Sequence, residues 1–237
     1  MQNRLHRMNR SKLTPIFYSR RADVVARALL GKYLVLKNHS GVITETEAYM
    51  GPHDKASHAH RGRTKRNEPM FGPAGIWYVY LTYGIHWMLN IVTGKEEYPA
   101  AVLIRGVLTN EKHYDGPGKL TKHLGIDKRF NTLPALRESG LWIEDRGICV
   151  RPRDIQKTPR IGIDYAGAYV HKPWRFVLAA GRGVQLHKRT TKRRHDQPNH
   201  AAPTGSRLRQ TATPRRAGAP AGHAHRGGRR RVRPHRH

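Results

Sequence analysis

Residues 41–92 restrict the fold more than any other part of the chain. The segment Glu45-Thr46-Glu47-Ala48-Tyr49 sits in a β-like run, and strand side chains alternate between two faces. Glu45, Glu47 and Tyr49 are therefore expected on one face, with Thr44, Thr46 and Ala48 on the other. Residues 76–82 and 85–93 are also β-like, and Tyr78 and Tyr80 share a face there. Tyr83-Gly84 between them predicts a hairpin tip. Carboxylates set among so many aromatics are either an active site or a strand Glu paired with an Arg over core tyrosines. The residues alone leave both open.

The flanking segments extend a β-rich pattern. Asp23 reads as the N-cap of a short helix through Val24, Val25, Ala28, Leu29 and Leu30, stopped by Gly31. Residues 13–18 are expected to pack on the domain within an otherwise loose 1–21. Residues 32–36 and 42–48 read as strands joined by a turn at 38–41. Residues 50–75 form a long polar loop carrying His53, Asp54, His58, His60, Arg61, Arg63, Lys65 and Arg66, and loops of that length tend to be functional. A strand over 99–107 carries one charge, Arg105. Gly116-Pro117-Gly118-Lys119-Leu120 opens a short helix closed by Gly125, and 141–150 reads as a strand pair around Asp145-Arg146-Gly147. Residues 159–163 and 172–176 end the apolar sequence. The expected architecture is α+β: a single mixed domain over 13–180, with a curved antiparallel sheet and a protruding β-hairpin.

From Gly181 the chain has no aromatic residue and no Ile. Such a segment buries too little apolar surface to offset its ordering entropy, so 181–237 is expected to be a disordered basic tail. It holds 16 Lys or Arg and one acid, Asp196, which places +15 of the net +29 there and leaves +14 on the first 180 residues. Both parts suit a polyanion, and the tail either tethers nucleic acid or has no specific role. Cys149 is the one cysteine, so neither a disulfide nor a cysteine cluster forms within the chain, in keeping with an intracellular compartment. No apolar run is long enough to span a bilayer, and the Arg-rich start lacks the apolar core of a secretory signal.

Several chemistries are set aside. A zinc deaminase needs more than one cysteine, and Gly118-Lys119 runs into Leu120 rather than Ser or Thr, unlike a nucleotide-hydrolase phosphate loop. Asp54, His58 and His60 lack a defined ligand spacing, so no metal is expected. The carboxylate-and-aromatic option fits better. Burial beside Tyr49 raises the Glu47 carboxyl, Arg105 opposes that, and the faces of Tyr49 and Tyr80 suit a flat cation. In a basic protein an alkylated nucleobase is such a ligand.

Ala26-Arg27-Ala28-Leu29-Leu30-Gly31-Lys32, Ile43-Thr44-Glu45-Thr46-Glu47-Ala48-Tyr49-Met50-Gly51 and Asp54-Lys55-Ala56-Ser57-His58 resemble the alkyladenine (3-methyladenine or 3-methylpurine) DNA glycosylase family. So do Arg66-Asn67, Met70-Phe71, Tyr78-Val79-Tyr80, Tyr83-Gly84-Ile85-His86, Asn90-Ile91-Val92, Gly116-Pro117-Gly118-Lys119-Leu120, Pro159-Arg160-Ile161-Gly162-Ile163 and Lys172-Pro173-Trp174-Arg175-Phe176. The matches run in family order over about residues 13–178. The resemblance implies a monofunctional glycosylase that flips alkylated purines out of double-stranded DNA and hydrolyses the N-glycosidic bond, leaving an abasic site. By position, Glu47 activates the water and Arg105 helps hold it. Tyr49, His58 and Tyr80 enclose the base, Asn90 stands where the amine of an undamaged guanine clashes, and Tyr83 fills the gap in the duplex. Lys119 and Arg66 are expected on the DNA backbone. Glu45 is expected to be structural. No cofactor is expected, and the protein is expected to act as a monomer away from membranes, in the cytoplasm or nucleoid of a bacterium or the nucleus of a eukaryote. The rival from another class is a non-catalytic, basic nucleic-acid-binding protein, which needs no buried base. The resemblance does not cover the tail.

Overall fold

In the computed structural model, which describes residues 11–110 and 112–179, the chain is α+β and its strand pairings are antiparallel. In chain order the elements are β1 (Ser11–Lys12), α1 (Pro15–Tyr18), α2 (Ala22–Leu29), β2 (Tyr33–Leu36), β3 (His39–Tyr49), β4 (Trp77–Thr82), β5 (His86–Thr93), β6 (Ala100–Leu108), β7 (His113–Asp115), α3 (Pro117–Leu124), β8 (Leu141–Asp145), β9 (Ile155–Thr158) and β10 (Arg175–Leu178). The main path through the sheet is β1-β8-β2-β3-β6-β5-β4. Among these described residues no helix is long and apolar enough to cross a membrane.

The sheet is built on β3 and β6, both rich in β-branched residues that suit a pleated, half-buried surface. One edge of β3 is shared: β2 pairs with it through Val42, and β10 takes over from Glu45 to Glu47. The outer edge of β6 is shared in the same way, by β5 up to Leu103 and by β7 from Gly106. Arg105 lies between those two partners, and its carbonyl accepts from Gly116 N at 2.9 Å. The β3–β6 register shifts on either side of Glu45, a bulge that re-aims side chains. Gly106 permits it, because a Cβ there would stand 2.9 Å from both Glu45 Cβ and Thr44 Oγ1.

Helix α2 covers the face of the sheet opposite the carboxylates. Its Val25, Ala26 and Leu29 are fully buried, and Thr46 Oγ1 donates to the Ala26 carbonyl at 3.0 Å. Burying Val25 and Leu29 contributes about 2 kcal/mol each. At the turn between β4 and β5, Tyr83 (φ 49°) and Gly84 (φ 70°) both lie in the left-handed region, and Ile85 N donates to Thr82 O at 3.1 Å. Such a pair of positive φ values matches the twist of a tight antiparallel turn. Tyr83 is 89% exposed and Ile85 71% exposed there.

The long segment between β3 and β4 is held by buried polar side chains rather than by a core of its own. Asn67 Nδ2 donates to the carbonyls of His58 and Gly62 at 2.9 and 2.8 Å. Asp54 accepts from Met50 N and Ala56 N at 3.0 and 3.1 Å. His58 is thereby placed by two anchors on either side of it in sequence.

Four expectations are corrected. Asp23 is not the N-cap of α2; Arg21 occupies that position, and Asp23 lies in the first turn, where a carboxylate still complements the helix dipole. Residues 11–12 are not loose, since they form β1 against β8, while 13–18 pack on the domain as expected, with Leu13 and Tyr18 buried. Residues 141–150 do not form a strand pair: β8 ends at Asp145, both of its edges are already taken by β1 and β2, and Asp145 Oδ1 accepts from Gly147 N at 2.8 Å to turn the chain. Residues 155–158 and 175–178, for which no strand is expected, form the paired strands β9 and β10. The expected 181–237 tail lies outside the described residues.

Candidate active site

On the face of β3 away from α2 the structure holds a cavity of about 340 Å³, within the range of small-molecule sites. Tyr49, His58, Tyr80, Asn90, Arg105 and Tyr83 all line it, as does Arg66. Lys119 does not. It is exposed and paired with Asp115 at 2.8 Å.

Glu47 lies behind the cavity wall, fully buried. Its Oε1 accepts from Ile161 N at 2.9 Å and stands 3.5 Å from Arg105 Nε, while Oε2 accepts from the Tyr49 hydroxyl at 3.1 Å. Burial raises its carboxyl above the ordinary range, against the opposing pull of Arg105, the Ile161 N–H, the Tyr49 hydroxyl and Arg160. The nearest partner of Arg105 is Glu45, whose Oε1 accepts from Arg105 Nε at 2.8 Å and from Arg175 Nε at 2.6 Å. Glu45 thus fixes the guanidinium that reaches towards Glu47.

The aromatic wall is one connected set. Tyr78 and Tyr80 have ring centroids 5.1 Å apart, and His58 meets Tyr80 edge-on at 4.5 Å. His58 Nδ1 and the Tyr78 hydroxyl share a 3.0 Å hydrogen bond. Loss of bulk water, with Arg66 nearby, pushes the His58 imidazole down to about 4, so it is neutral at pH 7. Burial raises the hydroxyl groups of Tyr49, Tyr78 and Tyr80, which keeps them protonated. Arg66 lies 5.1 Å over the Tyr80 ring and donates to the Leu81 carbonyl at 3.2 Å, a position in the cavity wall. The Asn90 amide nitrogen donates to Tyr78 O at 3.1 Å and Met88 O at 3.4 Å, which fixes the side chain against the wall.

Sequence reasoning missed several contributors. Tyr78 was visible in the period-two pairing with Tyr80, but its bond to His58 was not. Asp54 was considered only beside His58 and His60. It is instead held by Arg160 through two bonds of 2.6 and 2.8 Å, with both side chains fully buried. The Arg160 guanidinium stands 4.8 Å from the Tyr49 ring and 5.0 Å from that of Trp174. Ile161, next in sequence, supplies the N–H on Glu47, and Tyr165 lines the mouth with its hydroxyl donating to Ala56 O at 3.2 Å. The one hint was the motif Pro159-Arg160-Ile161-Gly162-Ile163.

The chain is similar in sequence to known proteins. A family model described as Methylpurine-DNA glycosylase (MPG) matches residues 16–182. A protein of Rickettsia conorii (strain ATCC VR-613 / Malish 7), named "Putative 3-methyladenine DNA glycosylase", is 42% identical over 174 residues, covering 71% of this chain and 92% of the relative. A protein of the same name from Rickettsia felis (strain ATCC VR-1525 / URRWXCal2) is 43% identical over 175 residues, covering 72% and 96%. One from Ehrlichia ruminantium (strain Welgevonden) is 43% identical over 167 residues, covering 68% and 86%.

Proposed function

The chain belongs to the methylpurine-DNA glycosylase family, and on that premise we propose that it hydrolyses the N-glycosidic bond of alkylated purines flipped out of duplex DNA, with Glu47 as the base that activates water. The observation that carries this reading is the placement of Glu47: one ionisable carboxylate directly behind an aromatic cavity, steered by Arg105 on one side and Tyr49 on the other.

The duplex lies over the cavity mouth, and Tyr83, at the exposed turn, occupies the space that the extruded base vacates. The base enters among Tyr49, His58 and Tyr80. A purine alkylated at N3 or N7 carries positive charge, which the ring faces attract. The neutral His58 adds no opposing charge. Asn90, tied to two backbone carbonyls, stays in place where the 2-amino group of guanine would fall, and so penalises the undamaged base.

Water reaches Glu47 beside Arg105, at the looser 3.5 Å contact. The carboxylate takes a proton, the water oxygen bonds to C1′, and the C1′–N bond breaks with its electron pair going to the base. That pair neutralises the alkylated ring, so the base leaves without an acid to protonate it. Among the described residues no lysine lines the cavity, which supports hydrolysis without an imine to the sugar and with the strand left intact.

The reading is tested by incubating the protein with N-methylated duplex DNA and measuring free purine. Released alkylpurine, with strand breaks appearing only after alkali, is the expected result. No release from any lesion would defeat the enzyme reading, and breaks without alkali would defeat the monofunctional one.

Tyr83→Ala isolates the wedge. Stacking of one aromatic residue on bases is worth about 1–3 kcal/mol, so affinity for a duplex with an abasic-site analogue is expected to fall roughly 5- to 150-fold. The turn survives in this variant because Gly84 remains. Unchanged affinity would remove Tyr83 from that role.

A further inference from the structure

Two adjoining basic hollows lie away from the catalytic cavity. The first, about 330 Å³, is floored by Tyr114 and His123, whose rings stack with centroids 4.0 Å apart, and is bordered by Lys112, Lys119 and Lys122. The second, about 440 Å³, has Trp142 among its walls and carries Lys12, Lys37, Arg137 and Arg146. His39 borders the second hollow and meets His123 of the first edge-on at 6.3 Å, so the two are contiguous. Seven Lys or Arg but only two carboxylates, Asp115 and Glu144, line the pair. Those carboxylates hold Lys119 at 2.8 Å and Arg146 at 2.6 Å, and Glu138 holds Lys12 at 3.1 Å. Lys37, Lys112, Lys122 and Arg137 are exposed, and none of them forms an ion pair with a described carboxylate.

The cations are divided between the two contiguous hollows rather than gathered at one point, with Lys112, Lys119 and Lys122 on the first and Lys12, Lys37, Arg137 and Arg146 on the second. From β7 to β1 the strip they form crosses five strand spacings, through β6, β3, β2 and β8, which at ~4.8 Å each is roughly 24 Å. Phosphates on one strand of B-DNA recur about every 3.4 Å, so that length matches about seven base pairs. The strip also begins at the catalytic cavity. Pro117, two residues before Lys119, lines that cavity, and Gly118 packs so closely on the turn-proximal end of β5 that a Cβ there would lie 2.9 Å from the His86 ring.

We propose that this strip is a second backbone-contact tract, which binds the duplex arm on one side of the lesion over about seven base pairs. It rests on the DNA glycosylase reading for the identity of the polyanion. A small anion would be held by one hollow alone, whereas the unpaired cations are divided between the two, Lys122 on the first and Lys37 and Arg137 on the second. A continuous phosphate backbone is the ligand with that spacing.

The test uses the full chain with Lys37, Lys122 and Arg137 all changed to Ala, none of which lines the catalytic cavity. Binding is measured against salt on two duplexes with a central lesion, one with arms of about four base pairs and one with arms of about fifteen. On the long duplex the log–log salt slope is expected to drop by roughly 2–3, since each lost phosphate contact removes about 0.9. On the short duplex, which reaches only the near part of the tract, the slope should drop by no more than about 1, and the single-turnover release rate should match that of the parent. A variant keeping charge at all three positions (Lys37→Arg, Lys122→Arg, Arg137→Lys) should behave as the parent on both. Equal losses on the two duplexes, or no loss on either, overturn the tract. Failure of the parent to release any base would instead count against the glycosylase reading, and the comparison of arm lengths would still score the strip.

Discussion

Glu47→Gln is expected to abolish base release while leaving DNA binding in place. A positioned general base contributes about 10²–10⁴-fold, and the single-turnover rate should fall by at least that range. Gln keeps the shape and accepts the Ile161 N–H, but it cannot take a proton from water. The same change should stabilise the fold. Burial outweighs the help that Glu47 receives from Arg105, the Ile161 N–H, Tyr49 and Arg160, so its carboxyl is raised in the folded protein. A group raised in this way contributes stability that is fully present below the ordinary carboxyl range and is lost as pH rises through the raised value. Gln carries no such loss. The variant should therefore melt above the parent at pH 8, with the gap closing as pH falls below the ordinary carboxyl range. Release by the parent should follow the opposite course, declining on the acid side as Glu47 is protonated. A Gln variant that releases base at the parental rate would remove Glu47 from the chemistry. One with parental rate loss but a lower melting temperature at pH 8 would show the carboxylate to be needed for packing instead.

The parts of this fold that could be read from sequence are those encoded locally. The alternation in 45–49 correctly grouped Glu45, Glu47 and Tyr49, because a strand face depends only on residues two apart, and their shared hydrogen-bond and ion-pair network bears that out. Gly125 closes α3 with a left-handed φ of 67°, a one-residue signal. Contacts between distant residues were not legible. Asp54 and Arg160 are 106 positions apart, and nothing near either one names the other. The order of partners on Arg105 was hidden for a related reason. The bulge at Glu45 depends on Gly106 of the neighbouring strand, and it is this register shift that gives Glu45 the 2.8 Å contact and Glu47 the 3.5 Å one. Strand β9, Ile155-Gln156-Lys157-Thr158, has exposed Gln and Lys at its centre, so its pairing with β10 leaves little apolar trace.

The largest stability effect is expected from Asp54→Ala. The variant leaves the Arg160 guanidinium fully buried without its counter-ion, because the remaining bond to the Ala48 carbonyl at 3.0 Å carries no charge. Breaking one side of a buried pair costs about 3–5 kcal/mol, against a total stability of about 5–15 kcal/mol for a typical protein. The loss also frees Met50 N and Ala56 N, which Asp54 holds, and these flank the start of the segment that carries His58. Removing both charges at once should be milder than removing one. Asp54→Leu with Arg160→Met replaces the pair by apolar groups, which is often close to neutral, although Met cannot keep the guanidinium between Tyr49 and Trp174. Urea melts should rank the parent first, the double variant second and Asp54→Ala last. A single variant within about 1 kcal/mol of the parent would mean that water enters to solvate Arg160, since desolvation is the source of the penalty. Activity should separate the two variants in another way. Arg160 adjoins the Ile161 N–H on Glu47, so a double variant that regains stability but not the release rate would show that the pair holds the base in position as well as holding the fold together.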